Sequence, residues 1–503
     1  MDHYPAFLQK LFCVPPGENP RVSEDFKTAW TDCEMPLVGK ILRRVRDPRE
    51  ERWWGDPLFF RFLGTLRTDE TERISKALQK YYPSVKNVAA SYMSARKYDR
   101  PQPVLHEEIW LLAHDFTRRH FGPAMSGAGL TDPLEFAWSL RGWTTPGFPF
   151  VELWPTKEQC FRDQRFWDYY HQYRAADFEW DVLWGSTVKS DELRPPEKIE
   201  KNDLRTFLSS PAHFALGCGE MFADMNKRLY ESRVTWSTIG RSTYMRGWND
   251  FLKNLPHSDC FGTDLSNQDA SMCQRAMLEQ ADLRFEFLKP EHQTERSFRR
   301  IKNLYFQIVF SFLVLAKGEV VEKDTGNPSG SPLTIVDNTM LKFKFFAYAW
   351  LMLWLEHYGN RLESFLQTQE CEYIFYISNV SAALIGDDGL WSVSVRARLV
   401  WKPDRIRSFL ATIFLRVKFE FDEPRVFWEL EYCSHTTKNY FGCYVPVMDG
   451  ERAYASLAWK GELITTTPGR KEIRMQPHYT LQRVLDIRRE AFWNPEIYDF
   501  CER

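Results

Sequence analysis

Apolar positions are spread unevenly along this chain. From about residue 240 to 435 they gather into runs separated by compact polar loops. The first 240 residues instead mix charged, helix-like patches with breaks such as VPPGENP, DPREERWWGDP, GAGLTDP and TTPGFPF. The stretch TIVDNTMLKFKFFAYAWLMLWLEHYG predicts a mostly buried helix, and NLYFQIVFSFLVLAKG a buried helix or strand. SDCFGTDLSNQD predicts a short strand running into a loop or helix. VSAALI, then GDDG, then LWSVSV predicts a hairpin. PDRIRSFLATIFLRV has helical periodicity, RVFWELEYCSHTT predicts another strand pair, and the segment after Pro477 predicts helix.

Composition narrows the class without fixing the function. The chain has 503 residues, 66 Lys plus Arg against 68 Asp plus Glu, and 44% apolar residues, enough for a large core. A formal net charge of -2 argues against coating nucleic acid through overall charge, but it leaves room for a local basic channel. The most basic early stretch, GKILRRVRDPREERW, interleaves its arginines with Asp47, Glu50 and Glu51. A solvated helix face explains it as well as an RNA contact does. Ten cysteines lack a repeated spacing, and Cys433, His435 and Cys443 lack the paired-ligand pattern of a zinc site, so reduced thiols are the expectation. No basic segment followed by a long apolar run opens the sequence, and the most apolar internal stretches fall short of the roughly 20 residues of a membrane span.

Three short segments carry candidate chemistry. In GDDG, Asp387 and Asp388 stand side by side at a tight turn, where mutual repulsion makes sense if hard divalent cations neutralise them. Magnesium favours such oxygen ligands together with phosphates. In DLSNQD, Asp264 and Asp269 are five positions apart and need not share a task; Asp269 alone would also serve as a helix cap. In GNPSGSPLTIVDNTM, Gly326, Pro328 and Gly330 shape a loop that presents Ser329. Thr334 then starts a helix, and Asn338 lies one turn inside it. A buried amide there needs a partner, for which Asp269 or a ribose hydroxyl is the expectation. Alone, each segment has an ordinary explanation as a solvated turn, a cap or a loop.

Together, in this order, they resemble the RNA-dependent RNA polymerases of positive-strand RNA viruses, in the picornavirus-like group and nearer its astrovirus and potyvirus side. DLSNQD resembles that family's motif A, SGSPLTIVDN motif B and GDD motif C. Upstream, VKSDELRPPEKIEKNDLRTF resembles the basic motif at the nucleotide entrance, with Lys189, Arg194, Lys198, Lys201 and Arg205, and with Glu192 as a partner for one of them. Downstream, PDRIRSFLATIFLRVKFEF resembles motif D, with Lys418 nearest the place of its lysine, and FWELEYCSHTTK resembles motif E.

The resemblance implies an α+β right-hand fold of fingers, palm and thumb, with the palm built on an antiparallel sheet packed with helices. Fingers are expected over 1–240, the palm over 241–438 with an inserted fingers portion near 275–325, and a small thumb over 439–503. It also implies two Mg2+ ions, replaceable by Mn2+, held by Asp264 and Asp387 with help from Asp388, and proton donation by Lys418. Lys189, Arg194 and Arg205 would contact the nucleoside triphosphate. Asp269 and Asn338, assisted by Thr334, would recognise the ribose 2′ hydroxyl, and Ser329 and Gly330 would belong to a moving loop. Implied partners are single-stranded RNA template, nascent RNA and ribonucleoside triphosphates. A protein primer and other viral replication proteins are further expectations, at membrane-associated replication complexes in host cytoplasm. A reverse transcriptase and an inactive RNA-binding scaffold are the alternatives; the polar pair Asp269 and Asn338 argues against the former and the three aspartates against the latter.

Overall fold

The computed structural model describes residues 22–41, 55–84, 88–175, 182–189, 192–243, 246–459, 463–467, 470–473 and 477–503. The basic stretch from Lys40 to Arg52 therefore lies outside the described residues beyond Ile41.

Four strands form the sheet on which the candidate chemistry stands: β1 (Asp259–Leu265), β2 (Val380–Ile385), β3 (Asp388–Val393) and β4 (Val417–Phe419). They lie in the order β4-β1-β3-β2, and every pairing is antiparallel. The near-continuous apolar character of β2 and β3 follows from burial on both faces. Phe261, Ala382 and Trp391 point to one core; Cys260, Ala383 and Leu390 point to another with Trp248, Phe251 and Tyr432. The first face is covered by the long helix α1 (Thr334–His357), whose Phe346 stacks on Trp391 at 4.3 Å between ring centroids. As expected, α1 is buried almost throughout. It holds three buried charges, Asp337, Lys342 and Lys344.

Asp337 and Lys344 are matched by partners that fix the helix. Arg284 donates to Asp337 at 2.6 Å and Tyr305 at 2.8 Å, while Lys344 donates to Glu279 at 2.5 Å and lies 4.0 Å over the Trp110 ring. Buried charges of this kind add little net stability, but removing one partner leaves the other stranded, so they hold α1 in a single register.

A second, five-stranded sheet runs in the order Leu37–Lys40, Glu319–Lys323, Ser311–Val314, Leu183–Val188, Thr206–Ser209, with Leu183–Val188 and Ser311–Val314 parallel. The apolar stretch LYFQIVFSFLVLA supplies both a helix and a strand of it. Helix Glu295–Val309 stops at Phe310, whose backbone turns extended (φ -96°, ψ 98°), and Ser311–Val314 enters the sheet. Periodicity could not separate these states because both are buried.

The strand pair expected over RVFWELEYCSHTT differs from what is observed. Phe427–Glu429 is a single 3₁₀ turn, and Cys433 and Ser434 adopt positive φ (50° and 62°) in a tight turn closed by two hydrogen bonds between Tyr432 and His435. The true hairpin follows, as β5 (His435–Tyr440) and β6 (Cys443–Met448). Helices Gly450–Ala458, Pro477–Glu490 and Pro495–Glu502 complete the C-terminal part. They share one core with helices Pro57–Leu63 and Thr68–Leu78 from the other end of the chain, through Phe59, Ile74, Tyr454 and Phe500. Among the described residues, no helix is long and apolar enough to cross a membrane.

Candidate active site

Hairpin geometry places the aspartates. Ile385 pairs with Asp388, so Gly386 and Asp387 alone make the turn, and Gly386 supplies the positive φ (55°) that a two-residue hairpin loop needs at its first position. Asp388 then pairs directly with Asp264 on β1. Opposed residues of an antiparallel pair bring their Cβ atoms to roughly 5 Å, and like charges at that spacing destabilise the sheet. Burial, and next the Asp387 carboxylate, push Asp388 up to about 6, and the same two causes raise Asp264. On the far side of β1, Lys418 of β4 pairs with Asp264 in register and brings its ammonium within 3.8 Å of the carboxylate.

Asp264 and Asp387 sit at the floor of a cavity of about 750 Å³ whose other walls are strongly basic. Lys97, Lys189, Arg194, Lys198 and Arg205 line it. Lys189, Arg194 and Arg205 converge on one carboxylate, Glu192, at 3.4, 3.9 and 3.5 Å. Glu192 is thus partner to three cations rather than one. Three positive charges against one negative leave a surplus facing the cavity, which suits a polyanion of nucleotide size.

The third wall comes from the loop before α1. Asp269 and Asn338 line the cavity with Ser329 and Thr334. Burial raises the Asp269 carboxyl, which accepts from the Ala270 amide at 2.9 Å. Asn338 is bonded to neither expected partner. Its Oδ1 accepts from Asn327 at 3.0 Å, and its backbone carbonyl accepts from Gln268 at 2.8 Å. Asn327 is itself held by a 2.6 Å bond from its amide to the Asp269 carbonyl, so the two residues are linked through it. The Thr334 hydroxyl is committed to the Pro328 carbonyl at 2.6 Å. The Ser329 hydroxyl accepts from the Leu208 amide at 3.3 Å, and Ser210 donates to the Gly330 carbonyl at 3.0 Å, docking this loop on strand Thr206–Ser209. A Cβ at Gly330 would lie 2.1 Å from the Leu208 carbonyl oxygen, so the close approach requires glycine.

With this geometry in hand, comparison with known proteins is decisive. The sequence model of the family described as viral RNA-dependent RNA polymerase matches residues 76–501. The chain belongs to that family.

That family's description is of an RNA-directed RNA polymerase, a nucleotidyltransferase. Similar curated sequences include the genome polyproteins of soybean mosaic virus strain G2 (28% identical over 280 residues), ryegrass mosaic virus (31% over 282) and blackberry virus Y (30% over 290). The matches cover 55%, 55% and 56% of this chain but only 8%, 8% and 7% of those polyproteins. Among solved structures, the Sicinivirus 3Dpol RNA-dependent RNA polymerase superimposes with a TM-score of 0.65 at 15% identity, over 84% of this chain and 86% of that one. The right-hand fold is therefore shared even where the sequence has diverged.

Several polymerase residues escape sequence reasoning. Lys97 and Tyr98 line the cavity from a 3₁₀ turn, Arg96–Tyr98, far from any motif, and nothing local marks them. Asn327 stands within the quoted GNPSG loop as its one amide. Lys342 is visible in principle, because a lysine in an apolar helix needs a buried partner.

Proposed function

We propose that this polymerase extends RNA by two-metal nucleotidyl transfer in the 750 Å³ cavity, with Asp264 and Asp387 as essential ligands and Asp388 as their assistant. The observation that carries the assignment is the direct cross-strand pairing of Asp264 with Asp388 beside Asp387, opposite a wall of basic residues. The donor set fits Mg2+: hard carboxylate oxygens, two of whose pKa values are raised by burial first and by the neighbouring Asp387 carboxylate next. Among the described residues no three acidic, His or Cys side chains yet form a complete cage, so nucleotide phosphates and water would supply the remaining oxygens. When bound, the ions would acidify the primer 3′ hydroxyl and offset charge on the departing pyrophosphate.

The chain's own residues do the rest. Lys189, Arg194 and Arg205 hold the triphosphate, the arginines through their planar forks. Lys418, exposed beside Asp264, donates a proton to pyrophosphate. Asp269 and Asn338, joined through Asn327 and supported by Thr334, read the ribose 2′ hydroxyl, which both donates and accepts. Ser329 and Gly330 couple that reading to strand Thr206–Ser209, on which they dock just after Arg205.

We assign the fingers to 1–240, the palm to 241–438 with a fingers insertion near 275–325, and the thumb to 439–503. Support comes from the five-stranded sheet, which joins 311–323 to strands of the first 240 residues. The polymerase's setting would be replication complexes at host cytoplasmic membranes, with other viral replication proteins. The sugar assignment is tested by incorporation of ribo- and deoxyribonucleoside triphosphates opposite one template base. Asp269→Ala should lower the preference for ribose at least about tenfold, the worth of one lost hydrogen bond to a charged group. Unchanged discrimination would reject it.

A further inference from the structure

Of the three buried charges on α1, Asp337 and Lys344 have carboxylate or guanidinium partners away from the cavity, whereas Lys342 points at the aspartates. Its side chain is fully buried. Its ammonium donates to the carbonyl of Thr263 at 3.1 Å and to the carbonyl of Asp387, the residues immediately before Asp264 and Asp388. One side chain thus bridges the two strands at the level of the opposed carboxylates. The sheet is shaped to admit it: a Cβ on Gly389 would lie 2.8 Å from the Lys342 ammonium and 3.0 Å from the Thr263 hydroxyl. Phe346 lies beneath, its ring centre 6.0 Å from the nitrogen. Both carbonyls accept from the one buried nitrogen, which is thereby fixed between the two strands beside the aspartates.

We propose that Lys342 is a built-in counter-cation of the metal-binding aspartates. It is a positioning residue: it holds β1 and the turn of the hairpin at a fixed separation before any ion arrives, and its charge weakens divalent-ion binding until a nucleotide brings its own negative charge. An acidic cluster without such a group would either bind metal permanently or spread apart. With it, the free enzyme is ordered but lightly loaded, and full metal occupancy is tied to nucleotide arrival. This inference rests on the metal assignment above and deepens it.

The test is Mn2+ binding to the free, full-length protein, followed by electron paramagnetic resonance of unbound Mn2+ with neither nucleotide nor RNA present, alongside thermal unfolding. Lys342→Met, which keeps the length of the side chain and removes the charge, should bind Mn2+ about tenfold tighter, because one positive charge a few ångströms from a dication is removed. It should unfold at a lower temperature without metal, and Mn2+ should raise that temperature by more than it does in the parent. Damage to a merely structural lysine would weaken Mn2+ binding instead; affinity equal to or below the parent's overturns the proposal. If Lys342→Met does not fold, Lys342→Met combined with Asp388→Asn should recover a cooperative transition, since the excess negative charge is gone, and failure to recover overturns it equally. Asp387→Asn in the parent separates the underlying assignment: unchanged Mn2+ binding there rejects the metal site itself.

Discussion

Asp264 and Asp388 are the nearest cross-strand neighbours on a twisted antiparallel sheet, and the chemistry of single side chains begins with that pairing. Several residues at the site are held by identifiable contacts, and each contact has a cost when broken. At Gly330 the constraint is steric. Gly330→Ala would drive a methyl group into the Leu208 carbonyl, 2.1 Å away, and lift Ser329 off strand Thr206–Ser209. We expect the KM for nucleoside triphosphate to rise at least about tenfold while the melting temperature falls by only a few degrees, because the loop is half-exposed and little core is disturbed. Steady-state kinetics beside a thermal melt distinguishes this from general unfolding. At this scale the sequence was most informative where residue type and order coincided, as with Asp264, Asp387 and Ser329. It was silent on Asn327 as the partner of Asn338, because a hydrogen bond between residues 11 apart in a loop and a helix has no periodic signature.

At the scale of elements, α1 and the β2–β3 hairpin were legible as an unbroken apolar run and two strands around a glycine turn. Motif E was not, because Cys433 and Ser434 take left-handed backbone conformations that their residue types do not announce, and these shift the hairpin onward by several residues. That hairpin is tied to helix Pro477–Glu490 by His435, whose ring lies 3.5 Å from Glu490. Burial pushes the histidine down, but the Glu490 carboxylate and the Cys433 carbonyl outweigh it, and the net shift is upward from the usual 6.5. A histidine raised in the folded state gives stability that is complete below its unfolded value, about 6.5, and is lost as pH rises through the folded value. Thermal melts of the parent and Glu490→Gln should therefore differ most near pH 6, and the gap should narrow toward pH 8. A gap independent of pH over that range would show that the contact is not an ion pair.

For the whole molecule, distant parts of the chain meet. Asp56 caps helix Pro57–Leu63 at the Leu58 amide (2.9 Å) and also accepts from Thr480 at 2.6 Å and Arg483 at 2.8 Å, joining the first part of the chain to the C-terminal helices. The Asp56–Arg483 pair is largely buried, at 4% and 13% side-chain exposure. Asp56→Ala, which removes the carboxylate from that cluster, should destabilise the junction by about 3 kcal/mol. A denaturant melt of the variant beside the parent reads that loss. Sequence could not have placed this contact: residues 56 and 483 are separated by nearly the whole chain, and neither lies in a motif. The order of motifs A, B and C, by contrast, led directly to a fold shared with the Sicinivirus polymerase at only 15% identity, since a palm needs that strand, that helix and that hairpin in that sequence.

The central claim is that Asp264 and Asp387 hold the ions that build each phosphodiester bond. It is tested most directly by single-turnover addition of one templated ribonucleotide to an annealed RNA primer, with Mg2+ titrated from zero, in the parent, Asp387→Asn and Asp388→Asn. The parent should require Mg2+. Asp387→Asn should be slowed at least about a hundredfold at saturating metal, and Asp388→Asn by less. Addition by Asp387→Asn at the parental rate, or by the parent without any divalent ion, would contradict the account.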